Sequence, residues 1–181
     1  MANKPLPCPI SLRQQLRYEP ETGKLFWLKR DVGFFASEWA WKVWNKRFPG
    51  KEAFTCPNSH GYFHGSIMGK SVLAHRVIWA LHYGAWPEHQ LDHIDNDRTN
   101  NRIVNLRDAT NSQNHMNKPA SSVNSSGFKG VDWSKKDRVW RARIKVRGKQ
   151  IHLGHFSCVN EAAKAYAEAS TVYHGEFARV T

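Results

Sequence analysis

Apolar and polar positions change their spacing several times along the chain, and each change marks an element. The segment KLFWLK (24–29) alternates as a strand does, behind a turn punctuated by Pro20 and Gly23. Before it, Ser11 stands where it could cap a short helix carrying Leu12 and Leu16. Residues 31–60 show no period and are expected to be irregular, with Trp39, Trp41 and Trp44 following Trp27. GYFHGSI and SVL then read as a hairpin joined through Met68-Gly69-Lys70. AHRVIWALHYG follows as a helix, with Ala74, Ile78 and Leu81 at helical spacing and Gly84 ending it.

Residues 90–118 break the pattern. QLDHIDNDRTNNRIVNLRDATNSQNHMNK is dense in Asp, Asn and His, anchored by Leu91, Ile94, Ile103, Val104 and Leu106. Two short strands around a polar loop are expected, then a helix capped near Thr110 or Asn111. KPASSVNSSG has the composition of a linker. The chain is therefore divided into 1–117, with a core at about 70–117, a linker at 118–126, and 127–181. In the last part GFKGVDWS, RVWRARIKV and KQIHLGHF read as three strands, and VNEAAKAYAEASTVYHG as an amphipathic helix stopped by Gly175. The expected class is α+β.

Charge sharpens the picture. Lys and Arg number 27 against 15 Asp and Glu, a formal net charge of +12. Such an excess favours a polyanion, because neutralising phosphates releases condensed counterions. No apolar run is long enough to span a bilayer, and the opening is polar and proline-rich rather than a signal sequence. No membrane partner is expected, and the cytoplasm is the expected compartment. The three cysteines, Cys8, Cys56 and Cys158, form no CxxC pair, so a metal here would be held by oxygen and nitrogen.

Candidate chemistry concentrates in the Asp/Asn/His segment. Phosphodiester hydrolysis needs an oxygen-rich divalent-ion site, a base of near-neutral pKa, and something to fix that base. Asp92 with Asn114 could hold the ion, and His93 suits the base. Strand alternation sends Asp92 and His93 to opposite faces, so spacing alone leaves their convergence open. Asp95, Asp97, Asn100 and Asn101 read as loop-forming Asx residues. His75 and Arg76, at the start of their helix, could meet phosphate or make local contacts.

Asp92-His93, NNRIVNLR and the SQN ending at Asn114 together resemble the HNH nuclease signature in its phage and intron-associated form. AHRVIW and RYEPETGKLFW extend the likeness over most of residues 11–118. The resemblance implies a ββα-metal fold with His93 as general base and Asn105 as its orienter. It also implies Asp92 and Asn114 as ligands of one Mg²⁺ or Mn²⁺ ion, with His115 as the alternative to Asn114. Many relatives carry a structural zinc on CxxC pairs; here hydrophobic packing must replace it.

In the third part Arg141, Arg143, Lys145 and Arg147 alternate with Ala142, Ile144 and Val146, giving a basic sheet face over an apolar one. GFKGVDW, WRARI, HLGHF and EAAKAYAEAS resemble the ethylene-response-factor (Apetala-type) DNA-binding domain, a three-stranded antiparallel sheet packed on one helix. By that resemblance Lys129, Trp133, Arg143, Lys145, Gln150 and His152 read the major groove, with Arg141 as a further basic candidate. Asp132, Ser134 and Gln150 stand where that family often carries Arg. The resulting expectation is a site-selective endonuclease of homing or phage type that nicks one strand of double-stranded DNA as a monomer or weak dimer. A DNA-binding regulator with a degenerate nuclease domain is the alternative.

Overall fold

Proline lacks an N–H, so it sits without loss in a first helical turn, and the chain's first helix starts at one: α1 spans Pro9–Arg13. Cys8, not Ser11, is its N-cap, with Sγ accepting from the Ser11 N–H, and Leu16 lies beyond it in a strand. The computed structural model describes residues 5–121 and 123–179 and separates into two compact units, 1–109 and 110–181.

In the first unit, β1 (Leu16–Glu19), β2 (Lys24–Trp27) and β3 (Glu52–Ala53) form one antiparallel sheet. The stretch expected to be irregular contains a helix, α2 (Glu38–Arg47). Its signals were local: Ser37 accepts from Ala40 N as N-cap, and Glu38 pairs with Lys42 one turn on. A second sheet is built from β4 (Cys56–Pro57), β5 (Phe63–Ile67) and β6 (Lys70–Leu73). The hairpin turns at Met68-Gly69, both at positive φ, as a two-residue connection requires.

α3 (Ala74–Tyr83) is the buried axis of this unit. Val77, Ile78 and Ala80 are fully buried among Leu12, Leu25 and Ile67. Each large aliphatic contributes about 1.5–3 kcal/mol by leaving water. Gly84 ends α3 in the left-handed conformation, and the Arg13 guanidinium donates to the Leu81 carbonyl. β7 (Gln90–His93) and β8 (Leu106–Ala109) pair antiparallel, aligning Asp92 with Arg107 and His93 with Leu106.

The second unit opens with α4 (Asn111–Asn117), capped by Thr110 in a reciprocal capping box with Gln113. β9 (Val131–Ser134), β10 (Val139–Val146) and β11 (Lys149–Phe156) form an antiparallel sheet with β10 central. Ala162 and Tyr166 of α5 (Val159–His174) pack with Val131, Ala142 and Ile144. Gly130 permits this closeness: a Cβ there would lie 2.2 Å from the Tyr166 ring and 2.6 Å from the Arg143 carbonyl. The expected division after 117 differs from the compact units, because α4 groups with the sheet. The Lys129 ammonium explains why, donating to the carbonyls of His115, Met116 and Lys118 at the end of α4. The molecule is mixed α+β with small antiparallel sheets, and among the described residues no helix is long and apolar enough to cross a membrane.

Candidate active site

Asp92 and His93 are both buried, at 5% and 3% exposure, which is unusual for residues of their type without partners. Alternation in β7 turns the two side chains to opposite faces of the strand. The Asp92 carboxylate receives Arg107 through Oδ2, from Nε at 2.9 Å and Nη2 at 2.8 Å. The His93 ring stands against His75 edge-on, with centroids 5.1 Å apart, and against Tyr62 at 5.8 Å.

Asn101 makes the hydrogen bond that the resemblance assigned to Asn105: its Oδ1 lies 3.0 Å from His93 Nε2, and the residue is 3% exposed. Asn105 instead ties the loop. Its Oδ1 accepts from Asp95 N, and its Nδ2 donates to Asp95 Oδ1 and the Asn100 carbonyl. The expected direct orienter of His93 is thus corrected by one step. Asn105 shapes the loop that carries Asn101, because the seven residues between His93 and Asn101 fold into successive Asx turns. Asp95 accepts from Asp97 N, Asp97 from Thr99 N, and Asn100 Nδ2 donates to Asp95 Oδ2. Burial works against ionisation of Asp95, but donors from Asn100 and Asn105 hold its pKa below the ordinary value. Asn101 was legible only as a loop former; nothing in a single sequence distinguishes it from Asn100.

The opening hairpin supports this loop. The Tyr18 hydroxyl accepts from Ile103 N at 2.9 Å and donates to the Asn101 carbonyl at 3.4 Å. Gly23, at positive φ, lets the β1–β2 turn touch the loop backbone, since a Cβ would lie 2.7 Å from Arg102 N. Arg76 makes local contacts, donating to the carbonyls of His89 and Pro87 ahead of β7.

Burial decides the state of the imidazoles. His93 has its pKa lowered by desolvation, against the raising effects of Asn101 and of Asp95, Asp92 and Asp97. It is therefore a neutral ring at neutral pH, the form that accepts a proton. His75 is pushed down to about 3 by desolvation, with His93 and Arg76 adding to it, and its Nδ1 is buried without a hydrogen-bond partner.

Among the described residues there is no cluster of three His, Cys, Asp or Glu able to hold a metal. One carboxylate and one amide still suit a hard ion. Mg²⁺ keeps much of its water, takes substrate phosphate oxygens, and commonly has only one or two protein carboxylates. Of the expected ligands, Asp92 is buried on β7 of the first unit and Asn114 is half-buried on α4 of the second, where the alternative His115 is exposed.

On the second unit, register sets the sheet face. Arg141, Arg143 and Lys145 align with His155, His152 and Gln150 on β11, and a bulge between Ala142 and Arg143 leaves Leu153 as the extra residue. Arg143, Lys145 and Gln150 border a cleft of about 580 Å³ whose other wall includes Asn111 and His115 of α4. Four expectations for this face change. Arg141 and Arg143 both grip Asp132, one on each carboxylate oxygen. The Asp132 pKa is lowered because these guanidinium bonds outweigh the desolvation that would raise it. Lys129 is half-buried on the α4 carbonyls, its pKa pushed down to about 8 by burial and by Arg179. Trp133 pairs with Trp140, rings 5.1 Å apart, and alternation puts it on the side of buried Val131, away from Asp132. Arg147 lies at positive φ in the β10–β11 turn rather than in the strand.

Comparison with known proteins finds relatives of the segment that carries Asp92, His93 and Asn105. The family model for HNH endonucleases matches residues 72–116, from the end of β6 through α4. Protein 3.8 of Escherichia phage T7 is 32% identical over 111 residues, covering 61% of this chain and 91% of that protein. An uncharacterized HNH endonuclease of Acanthamoeba polyphaga mimivirus is 32% identical over 120 residues, 65% of this chain but only 61% of the relative's length. No solved structure matches. With a buried Asp-His pair on a two-stranded ribbon and a loop tied by Asn105, residues 72–116 carry an HNH endonuclease domain, and the chain is related to protein 3.8 of phage T7 over nearly that protein's whole length.

Proposed function

We propose that this protein hydrolyses phosphodiester bonds of double-stranded DNA, nicking one strand, with His93 as general base. The observation that carries the reading is the His93–Asn101 hydrogen bond in a buried, pKa-lowered setting. An amide oxygen on Nε2 favours the tautomer with its hydrogen there, so the lone pair that takes the proton from attacking water is on Nδ1. Asn101 holds the ring, Asn105 and Asp95 hold the loop, and Tyr18 buttresses it. Asp92 and Asn114 would hold one Mg²⁺ or Mn²⁺ ion, which when bound supplies positive charge at the scissile phosphate. The second unit, with Lys145, Gln150 and His152 on its exposed sheet face, selects the site in the manner of the ethylene-response-factor fold it resembles. One such constellation per chain cuts one strand, as a homing-type or phage-encoded nickase acting as a monomer or weak dimer.

A second reading has one observation in its favour. The Arg107 grip on Asp92 places a cation where a ligand carboxylate is needed, as in a DNA-binding regulator with a degenerate nuclease domain. Supercoiled plasmid with and without Mg²⁺ separates the two. The nuclease reading expects metal-dependent nicking that falls roughly a hundredfold or more in His93→Ala, with DNA affinity retained. Binding without nicking at any Mg²⁺ or Mn²⁺ concentration selects the regulator.

A further inference from the structure

α2 contributes no buried residue to the core, yet it is firmly built in. Asn45 Oδ1 accepts from Arg30 N, while Asn45 Nδ2 and Trp41 Nε1 both donate to the Arg30 carbonyl. The Arg30 guanidinium packs over both the Trp27 and Trp44 rings, 4.5 and 4.1 Å from their centroids, in the corner where the two rings meet edge to face. Trp41, Trp44 and Asn45 thus define the anchored side of the helix.

At 100° per residue, the opposite side is centred on Trp39, flanked by Lys42 and Lys46 on one edge and by Val43 and Arg47 on the other. Trp39 is 74% exposed and Val43 44%; both lysines and Arg47 are exposed. A tryptophan so exposed on a fixed helix exchanges little conformational entropy on binding and leaves its ring face in water. The surroundings lack negative charge. Residues 29–47 hold five cations against two carboxylates. Glu38 is paired with Lys42, and Asp31 caps the turn at Gly33. Among the described residues Arg30 has no anionic partner, and its Nε is buried without a hydrogen bond.

We propose that the exposed face of α2 binds single-stranded DNA, with Trp39 stacking on an unpaired base while Lys46 and Arg47 neutralise phosphates beside it. Charge complementarity selects a polyanion over a second, equally basic copy of the chain. The ring selects single strands over duplex, because a base offers its full π-face only outside the stack. This surface lies outside the segment matched by the HNH family, residues 72–116, and takes from the nuclease reading only the choice of DNA.

The test uses the full chain carrying His93→Ala, in EDTA, so that failure of the nuclease reading leaves it intact. Binding of a fluorescent single-stranded oligonucleotide of mixed sequence is followed by anisotropy, beside the matching duplex. Trp39→Ala is expected to weaken single-strand binding roughly tenfold and duplex binding far less. Trp39→Phe should restore most of the loss, and Val43→Ala should change little. Lys46→Gln with Arg47→Gln should flatten the salt dependence by about 1.4 in log–log slope. Unchanged single-strand binding by Trp39→Ala, or an equal loss on duplex, overturns the proposal. So does a shift from dimer to monomer on sedimentation with DNA binding intact, which would make a second copy the occupant.

Discussion

The two units hold their polar residues in opposite ways. In the first, the polar segment folds inward. Asp92, His93, Asn101 and Asn105 are all buried, and the loop between the strands is tied by its own Asx hydrogen bonds. In the second, cations stand on an open sheet, but Asp132 joins Arg141 to Arg143 and Lys129 is turned onto α4. A buried site depends on distant support to stay aligned. An exposed face depends on what its charges pair with before a ligand arrives.

That contrast can be broken with two glycines, where the largest effects are expected. Gly130→Ala places a methyl against Tyr166 and the Arg143 carbonyl at positive φ, so the sheet–helix packing of the second unit must open, at about 3 kcal/mol. Gly23→Ala drives the β1–β2 turn into Arg102 and Asn101, and should lower cleavage by moving Asn101 off His93. Thermal melts and single-turnover nicking should therefore separate the variants. Gly130→Ala should lose the stability of its unit, while Gly23→Ala should lose rate beyond any loss of folded protein. A Gly23→Ala protein that cuts at full rate would show that the hairpin does not hold the base.

The exposed face is sharpened by Asp132→Asn. The amide keeps the shape and can still accept from one guanidinium, but the face gains one net positive charge. Affinity for duplex DNA at low salt should rise roughly threefold to tenfold, with a salt slope steeper by up to about 0.9. Filter binding over a salt series reads both. Weaker binding would mean that Asp132 positions Arg141 and Arg143 for contact, and that their order matters more than the charge it cancels.

Periodic packing was readable along the chain; pairing of polar groups was not. α3, the Met68-Gly69 hairpin and the three C-terminal strands each follow from a repeat of apolar positions closed by a turn, and α4 from its cap. α2 was missed because its large apolar residues are three tryptophans and a valine and none is buried, so no periodic core stripe marks it. Asp92-His93 and Asn105 stood out through a known family signature, but partner choice is set by folding. Asn101 reaches His93 only because Asn105, eleven residues or fewer from every member of the loop, closes it. Likewise a strand reading gives Arg141 and Arg143 a shared face, yet Asp132 becomes their partner only once β9 pairs with β10.

The smallest effect at neutral pH belongs to His75, and it tests whether the buried side of the comparison carries a cost in acid. The ring sits at 3% exposure between Tyr62, 5.2 Å away, and His93, with Arg76 the next residue on the helix. Its pKa is pushed from 6.5 down to about 3. Below about pH 6.5 the unfolded chain therefore binds a proton that the folded chain refuses. Stability present above that pH falls progressively towards pH 3, by at most about 1.4 kcal/mol per pH unit from this one group. The lowered pKa of His93 acts in the same direction. His75→Phe keeps an aromatic ring against both neighbours and removes the unpartnered Nδ1. Replacing an unsatisfied buried polar group by an apolar one of similar shape is nearly neutral or stabilising, so at pH 7 the variant should lie within about 1 kcal/mol of the parent. Its advantage should then widen on acidification, because one of the two refusing rings is gone. Denaturant unfolding of both proteins at pH 7, 6, 5 and 4 measures the difference. Parallel pH profiles would show that His75 is not held neutral in the fold, and that polar burial in the first unit costs nothing in acid.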